Sequence, residues 1–103
     1  MTDGRFGLTE AGDRQPPRVT ACGDIDLANV NDFRDLLEKA AANAPAITVD
    51  LSRVSYCDSA AVRALFSVAA TAELTLVVPA RGPIKTLLKI SGLDRVATVS
   101  TSN

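Results

Sequence analysis

Between residues 46 and 66 the chain reads AITVDLSRVSYCDSAAVRALF, and this run limits the possible folds sharply. Ile47, Val49 and Leu51 alternate with Thr48 and Asp50, the period-two pattern of a strand with one side buried. The polar run Ser52 to Cys57 predicts a turn. Val62, Leu65, Phe66 and Ala69 then recur at the i, i+3, i+4, i+7 spacing of an amphipathic helix. Asp58 or Ser59 is placed to cap that helix, because a short side-chain oxygen there accepts from a free first-turn amide. Strand, polar connection and helix in this order form the repeating unit of a parallel α/β sheet.

The flanking sequence extends the pattern. Phe6 and Leu8 alternate as an edge strand, the Gly12 to Pro17 segment marks a turn, and Arg18 to Cys22 reads as a second strand ended by Gly23. Asp26 is a candidate N-cap for a helix with the stripe Val30, Phe33, Leu37 and Ala40/Ala41, ending near Asn43 and Pro45. Leu74 to Val78 is a further strand. A third helix starts within Pro79 to Pro83, turns Ile84, Leu87, Leu88 and Ser91 inward, and stops at Gly92. Val96 to Val99 is a last short strand, and residues 101 to 103 are expected to fray.

The order is β-β-α-β-α-β-α-β. If successive strands are neighbours, right-handed crossovers place all the helices on one face. Thr20, Thr48, Thr75 and Thr98 alternate with apolar residues, as expected when the opposite face is partly exposed. The expected fold is therefore α/β: a single-layer, mostly parallel sheet with helices packed mainly on one face and an N-terminal edge strand or hairpin. Residues 1–103 form one domain.

Composition narrows the function classes. The net charge is −1 and 47% of residues are hydrophobic, values of an ordinary globular domain and not of a basic nucleic-acid binder. No apolar run approaches the ~20 residues of a transmembrane helix. Neither nucleic acid nor membrane insertion is expected, and the location expected is cytoplasmic. The chain has no His, which removes the commonest general base and metal ligand together. Two Cys without His do not make an ordinary zinc site, and a Ser-His-Asp hydrolase is excluded. The expectation is a non-enzyme without metal or cofactor.

The segment DLSRVSYCDSAAVRAL resembles the signature D-L-S-x-V-x-x-x-D-S-x-G-L of the STAS family (sulphate transporter and anti-sigma factor antagonist). Asp50, Leu51, Ser52, Val54, Asp58 and Ser59 match; Ala61 stands where the family usually has Gly, and Val62 where it usually has Leu. Gly23-Asp24-Ile25-Asp26-Leu27 is similar to the family's G-E-L-D segment, and Ser91-Gly92-Leu93 to its T-G-L. The resemblance covers residues 17 to 100 and implies a STAS-like fold.

It also implies a role. In stand-alone members the Ser matching Ser59 is phosphorylated by a partner kinase. This chain is then expected to be an anti-sigma factor antagonist, a monomer or weak dimer whose partner is an anti-sigma factor serine kinase. It would bind that partner when unphosphorylated and be released on phosphorylation of Ser59. The implied contact residues are Asp24, Asp26, Asp58, Ser59, Ala60, Ala61 and Arg63. Read without the family, Ser59 is a cap residue and the three Asp are caps and turn residues.

Other readings stay open. The domain is alternatively a non-switching adaptor like the STAS subunits of ABC-type lipid-transport complexes. Ala61 in place of Gly bears on that choice, since Gly best permits close approach by a kinase. Arg81, Lys85 and Lys89 recur as a basic stripe, either solvated or docking an acidic surface. Cys22 and Cys57, both placed at strand ends, are two reduced thiols or a redox pair; a disulfide needs Cα atoms within about 7 Å. Asp50 as a receiver-type phospho-acceptor is rejected, because no acidic pair follows the first strand.

Overall fold

A computed structural model of the chain describes residues 5–42 and 44–102. Its elements are β1 Arg5–Thr9, β2 Arg18–Ile25, α1 Val30–Ala42, β3 Ala46–Cys57, α2 Ser59–Ala69, β4 Glu73–Pro79, α3 Pro83–Ser91 and β5 Thr98–Ser102. A short 3₁₀ turn, Leu93–Arg95, separates α3 from β5. The strands lie in sequence order in one five-stranded sheet. The β1–β2 pair is antiparallel, and every later pair is parallel.

The sheet is two-sided in chemistry. Val19, Ala21 and Ile25 of β2, Ile47, Val49 and Leu51 of β3, and Leu74, Leu76 and Val78 of β4 are all buried. They join Phe33, Leu37, Leu65, Ile84 and Leu88 of the helices in one apolar cluster. Phe6 on β1 reaches the same cluster, its ring 5.4 Å from that of Phe33. The alternate strand positions Thr20, Thr48, Thr75 and Thr98 are exposed or half-buried. Thr48, Thr75 and Thr98 stand in one row across β3, β4 and β5. Helices on one face and a hydroxyl-rich open face are what the alternation of Thr with Val, Ile and Leu predicts.

Several boundaries differ from those read in the sequence. The segment 52–57 is strand, not turn. β3 runs on to Cys57 because it carries an extra residue against β2 at two places: Thr20 pairs with Asp50 but Cys22 with Arg53, and Gly23 pairs with Val54 but Asp24 with Tyr56. Such bulges break period two, so the buried residues fall at Leu51, Val54 and Cys57. β2 likewise does not end at Gly23. The glycine lies inside the strand with φ 81°, a conformation that accommodates the register break and that a side chain would strain.

The helical and terminal boundaries shift too. α1 starts at Val30 and ends at Ala42; the expected stop at Asn43 lies outside the described residues. The inner face of α2 is Ala61, Val62, Ala64, Leu65 and Val68, while Phe66 and Ala69 are only half-buried. The stripe is rotated because Ala61 and Ala64 take inner-face positions. The last strand is Thr98–Ser102, so Thr101 and Ser102 are paired to β4, and Val96 is exposed after the 3₁₀ turn. Gly92, with φ 84°, does stop α3.

Candidate functional site

Parallel sheets gather ligand and partner sites at the C-terminal ends of their strands. Here the ends of β2 and β3 meet at one place. The Asp58 amide, just past β3, donates to the Ile25 carbonyl that ends β2, at 3.1 Å. Asp58 is the N-cap of α2: its Oδ1 accepts from the amides of Ala60 at 2.9 Å and Ala61 at 3.4 Å. Extended backbone at Asp58 delivers the chain from strand to helix without a loop. Ser59 is thus the first helical residue rather than the cap, and it is exposed. Among the described residues no hydrogen bond ties down its hydroxyl.

The β2 end is knitted by its own side chains. Asp26 does not cap a helix directly. Its Oδ1 accepts from the Ala28 amide at 3.0 Å, forming a local turn two residues wide. Asn29 closes that turn from the far side: its Oδ1 accepts from the Asp26 amide at 3.0 Å, and its Nδ2 donates to the Asp24 carbonyl at 2.9 Å. Asn29 was not singled out in the sequence, although an Asn just before an apolar stripe is itself a helix-start signal. Asp24 and Asp26 are half-buried, so each keeps a face toward solvent.

The expected contact residues divide. Asp24, Asp26, Asp58 and Ser59 lie at one rim, and Arg63 is exposed one helical turn beyond Ser59. Ala60 is half-buried. Ala61 is 0% exposed and points into the core, so its methyl group is not on the outer surface. The expectation that Ala61 contacts a partner directly is corrected by that burial. Two large apolar side chains at this rim were not among the expected contact residues. Leu27 is 77% exposed and Tyr56 is 52% exposed; Leu27 lies in the turn built on Asp26, and Tyr56 pairs in register with Asp24. Tyr56 was hidden in the supposed turn, and Leu27 in an apparently alternating string.

Cys22 and Cys57 are not brought together. Both are free; Cys22 pairs with Arg53, and Cys57 with Ile25. Three positions of strand separate those pairings, about 10 Å at the usual rise, beyond disulfide reach. Cys57 faces the core and Cys22 the open face. Burial, with the nearby Asp58 charge, pushes the Cys57 thiol up to about 11. The supposed redox pair is therefore two separated thiols.

Asp50 lies on the open face, not at this rim. It accepts from Ser52 Oγ at 2.6 Å and from the Ser52 amide at 2.9 Å, and Arg18 lies 2.6 Å away. Burial opposes its ionisation, but these donors outweigh that and hold the carboxyl below its ordinary 3.8. Arg81, Lys85 and Lys89 are exposed along the start and outer side of α3. Among the described residues, no three potential metal ligands converge. No described helix is long and apolar enough to cross a membrane.

Residues 8–99 match the family described as "Mlab, STAS domain". A search of curated sequences gives no match. Solved structures share the fold. An anti-sigma factor antagonist from Mycobacterium paratuberculosis is similar with TM-score 0.81 and 20% identity, over 95% of this chain and 86% of that one. The anti-sigma factor antagonist SpoIIAA in its unphosphorylated form gives TM-score 0.65 and 19% identity, over 96% and 88%. The Bacillus cell fate determinant SpoIIAA in the phosphorylated form gives 0.67 and 21%, over 95% and 93%.

Proposed function

The chain belongs to the STAS domain family, and from that premise we propose that it is an anti-sigma factor antagonist switched by phosphorylation of Ser59. In this reading it binds an anti-sigma factor serine kinase when Ser59 is free and is released once Ser59 carries phosphate. One observation carries the reading: Ser59 is exposed at the first position of α2, beside Asp58, on a rim with Asp24 and Asp26. The similarity to SpoIIAA, solved both with and without phosphate, supports it.

The geometry gives the switch a physical form. Asp58 already occupies the first-turn amides of Ala60 and Ala61. A phosphate on Ser59 would not gain those donors. It would add about −1.5 to −2 charge next to the Asp58 carboxylate and face outward, toward the partner. The domain therefore need not refold to change affinity; repulsion and desolvation at a packed contact suffice. Exposed Leu27 and Tyr56 supply the apolar area on which such a contact is built. The chain needs no base of its own, since the kinase supplies the catalysis.

Incubation with candidate anti-sigma kinases and ATP, followed by peptide mass spectrometry, tests this. Phosphate on Ser59 is expected. Phosphate on Ser52, Ser55 or Thr71 instead would overturn the assignment. A kinase partner bound stably through repeated turnover, with Ser59 unmodified, would favour the non-switching adaptor bracing a lipid-transport ATPase.

A further inference from the structure

A groove opens on the helix-free side of the sheet, where β1, β2 and β3 run together. It has a volume of about 410 Å³, within the ~300–1,000 Å³ typical of small-molecule sites. Arg5, Thr20, Cys22, Asp50, Ser52 and Arg53 line it. Arg5 pairs with Cys22 and Cys22 with Arg53, so the two arginines stand on either side of one thiol in a single row. At the usual strand spacing their Cα atoms are about 10 Å apart, which two long guanidinium side chains readily bridge.

The bulge in β3 is what puts Arg53 there. Leu51 and Val54 both face the core, so Ser52 and Arg53 between them are both turned away from it. A regular strand would have sent Arg53 to the face it shares with Leu51. Bulges commonly re-aim a side chain in this way. Among the described residues that line it, the charges do not cancel: the one carboxylate, Asp50, is engaged by Arg18 at 2.6 Å and by Ser52. Among the described residues neither Arg5 nor Arg53 has an ion pair or a side-chain hydrogen bond. Two guanidiniums with no partner among the described residues thus share one groove in a chain of net charge −1.

We propose that this groove binds a small phosphomonoester, the phosphate held between Arg5 and Arg53. A phosphate dianion offers several oxygens to two forked donors at once, whereas a single carboxylate satisfies one guanidinium. The rest of the molecule lies over Cys22 and Thr20. The site is separate from the Ser59 rim and does not depend on the switch proposed there.

Calorimetric titration of the domain with glycerol 3-phosphate at physiological salt is the test, with glycerol as the uncharged control. Saturable binding of the ester and none of glycerol is expected. Arg5→Ala with Arg53→Ala should weaken it by at least about tenfold, about 1.4 kcal/mol. Lys85→Ala with Lys89→Ala removes the same charge from α3 and should leave affinity unchanged. Bound ester should also slow iodoacetamide labelling of half-buried Cys22, read by peptide mass spectrometry. That labelling uses the unaltered chain and holds even if the double arginine variant fails to fold. Absence of saturation, equal binding by glycerol, undiminished affinity without the arginines, or unprotected Cys22 would each overturn the proposal.

Discussion

The two halves of β3 follow different rules. In residues 46–51, Thr48, Val49 and Asp50 pair on both sides, with β2 and with β4, and the apolar residues alternate strictly. Residues 52–57 pair with β2 alone, carry two bulges, and expose Arg53, Ser55 and Tyr56. The first half holds the fold together. The second half aims side chains, ends at Asp58, and sets Ser59 at the helix start. Regularity within one strand thus separates what must be stable from what must be accessible.

Truncation should expose that contrast most strongly in the regular half. Leu51 and Phe33 are both fully buried in the central cluster. Leu51→Ala and Phe33→Ala should each destabilise by about 2–5 kcal/mol, read as a lower urea midpoint. Tyr56→Ala, five residues along the same strand, should stay within about 0.5 kcal/mol, since its ring is half in water. Comparable losses at Leu51 and Tyr56 would break the division.

The next effect sharpens the boundary between the halves and α2. Asp58→Ala removes the cap and should cost about 0.5–2 kcal/mol. Ser59→Ala, one residue on, should change stability by only a few tenths. Thermal melts of both variants check the pair, and a larger loss at Ser59 would mean the hydroxyl, not Asp58, caps the helix.

This division also explains what the sequence disclosed. Ile47, Val49 and Leu51 were legible as a strand because nothing disturbs their alternation. Ser52 to Cys57 was not, because two inserted residues space Leu51, Val54 and Cys57 by three and imitate a polar loop. Asp58 and Ser59 were legible as a helix start. Which of them caps was not, since both residue types serve and only the backbone at Asp58 decides. Ala61 looked like a surface difference because its place in the motif suggested one. Its burial follows from its place on the inner face of α2, which one residue's identity does not reveal. Leu27 did not stand out in the sequence, because exposed apolar contact residues and core residues are of the same types.

A smaller effect lies at the junction of the halves, at Asp50. Its lowered pKa means the folded state binds that proton less readily than the unfolded chain. The stabilisation is present above the ordinary value of 3.8 and is lost as pH falls through the folded value. Arg18 is 44% exposed, so solvent screening keeps the pair's contribution below about 1 kcal/mol. Asp50→Asn should lower stability slightly at pH 7 and flatten its decline in acid below about pH 4. A decline as steep as in the parent would place the acid-sensitive group elsewhere.

The central claim is that Ser59 changes partner affinity without changing the fold. Titration calorimetry of phosphorylated and unphosphorylated domain against the anti-sigma kinase that modifies it, with a thermal melt of each free form, measures both together. The account predicts at least about tenfold weaker binding of the phosphorylated form, a difference of about 1.4 kcal/mol or more, with melting temperature essentially unchanged. Equal affinities for the two forms would contradict it.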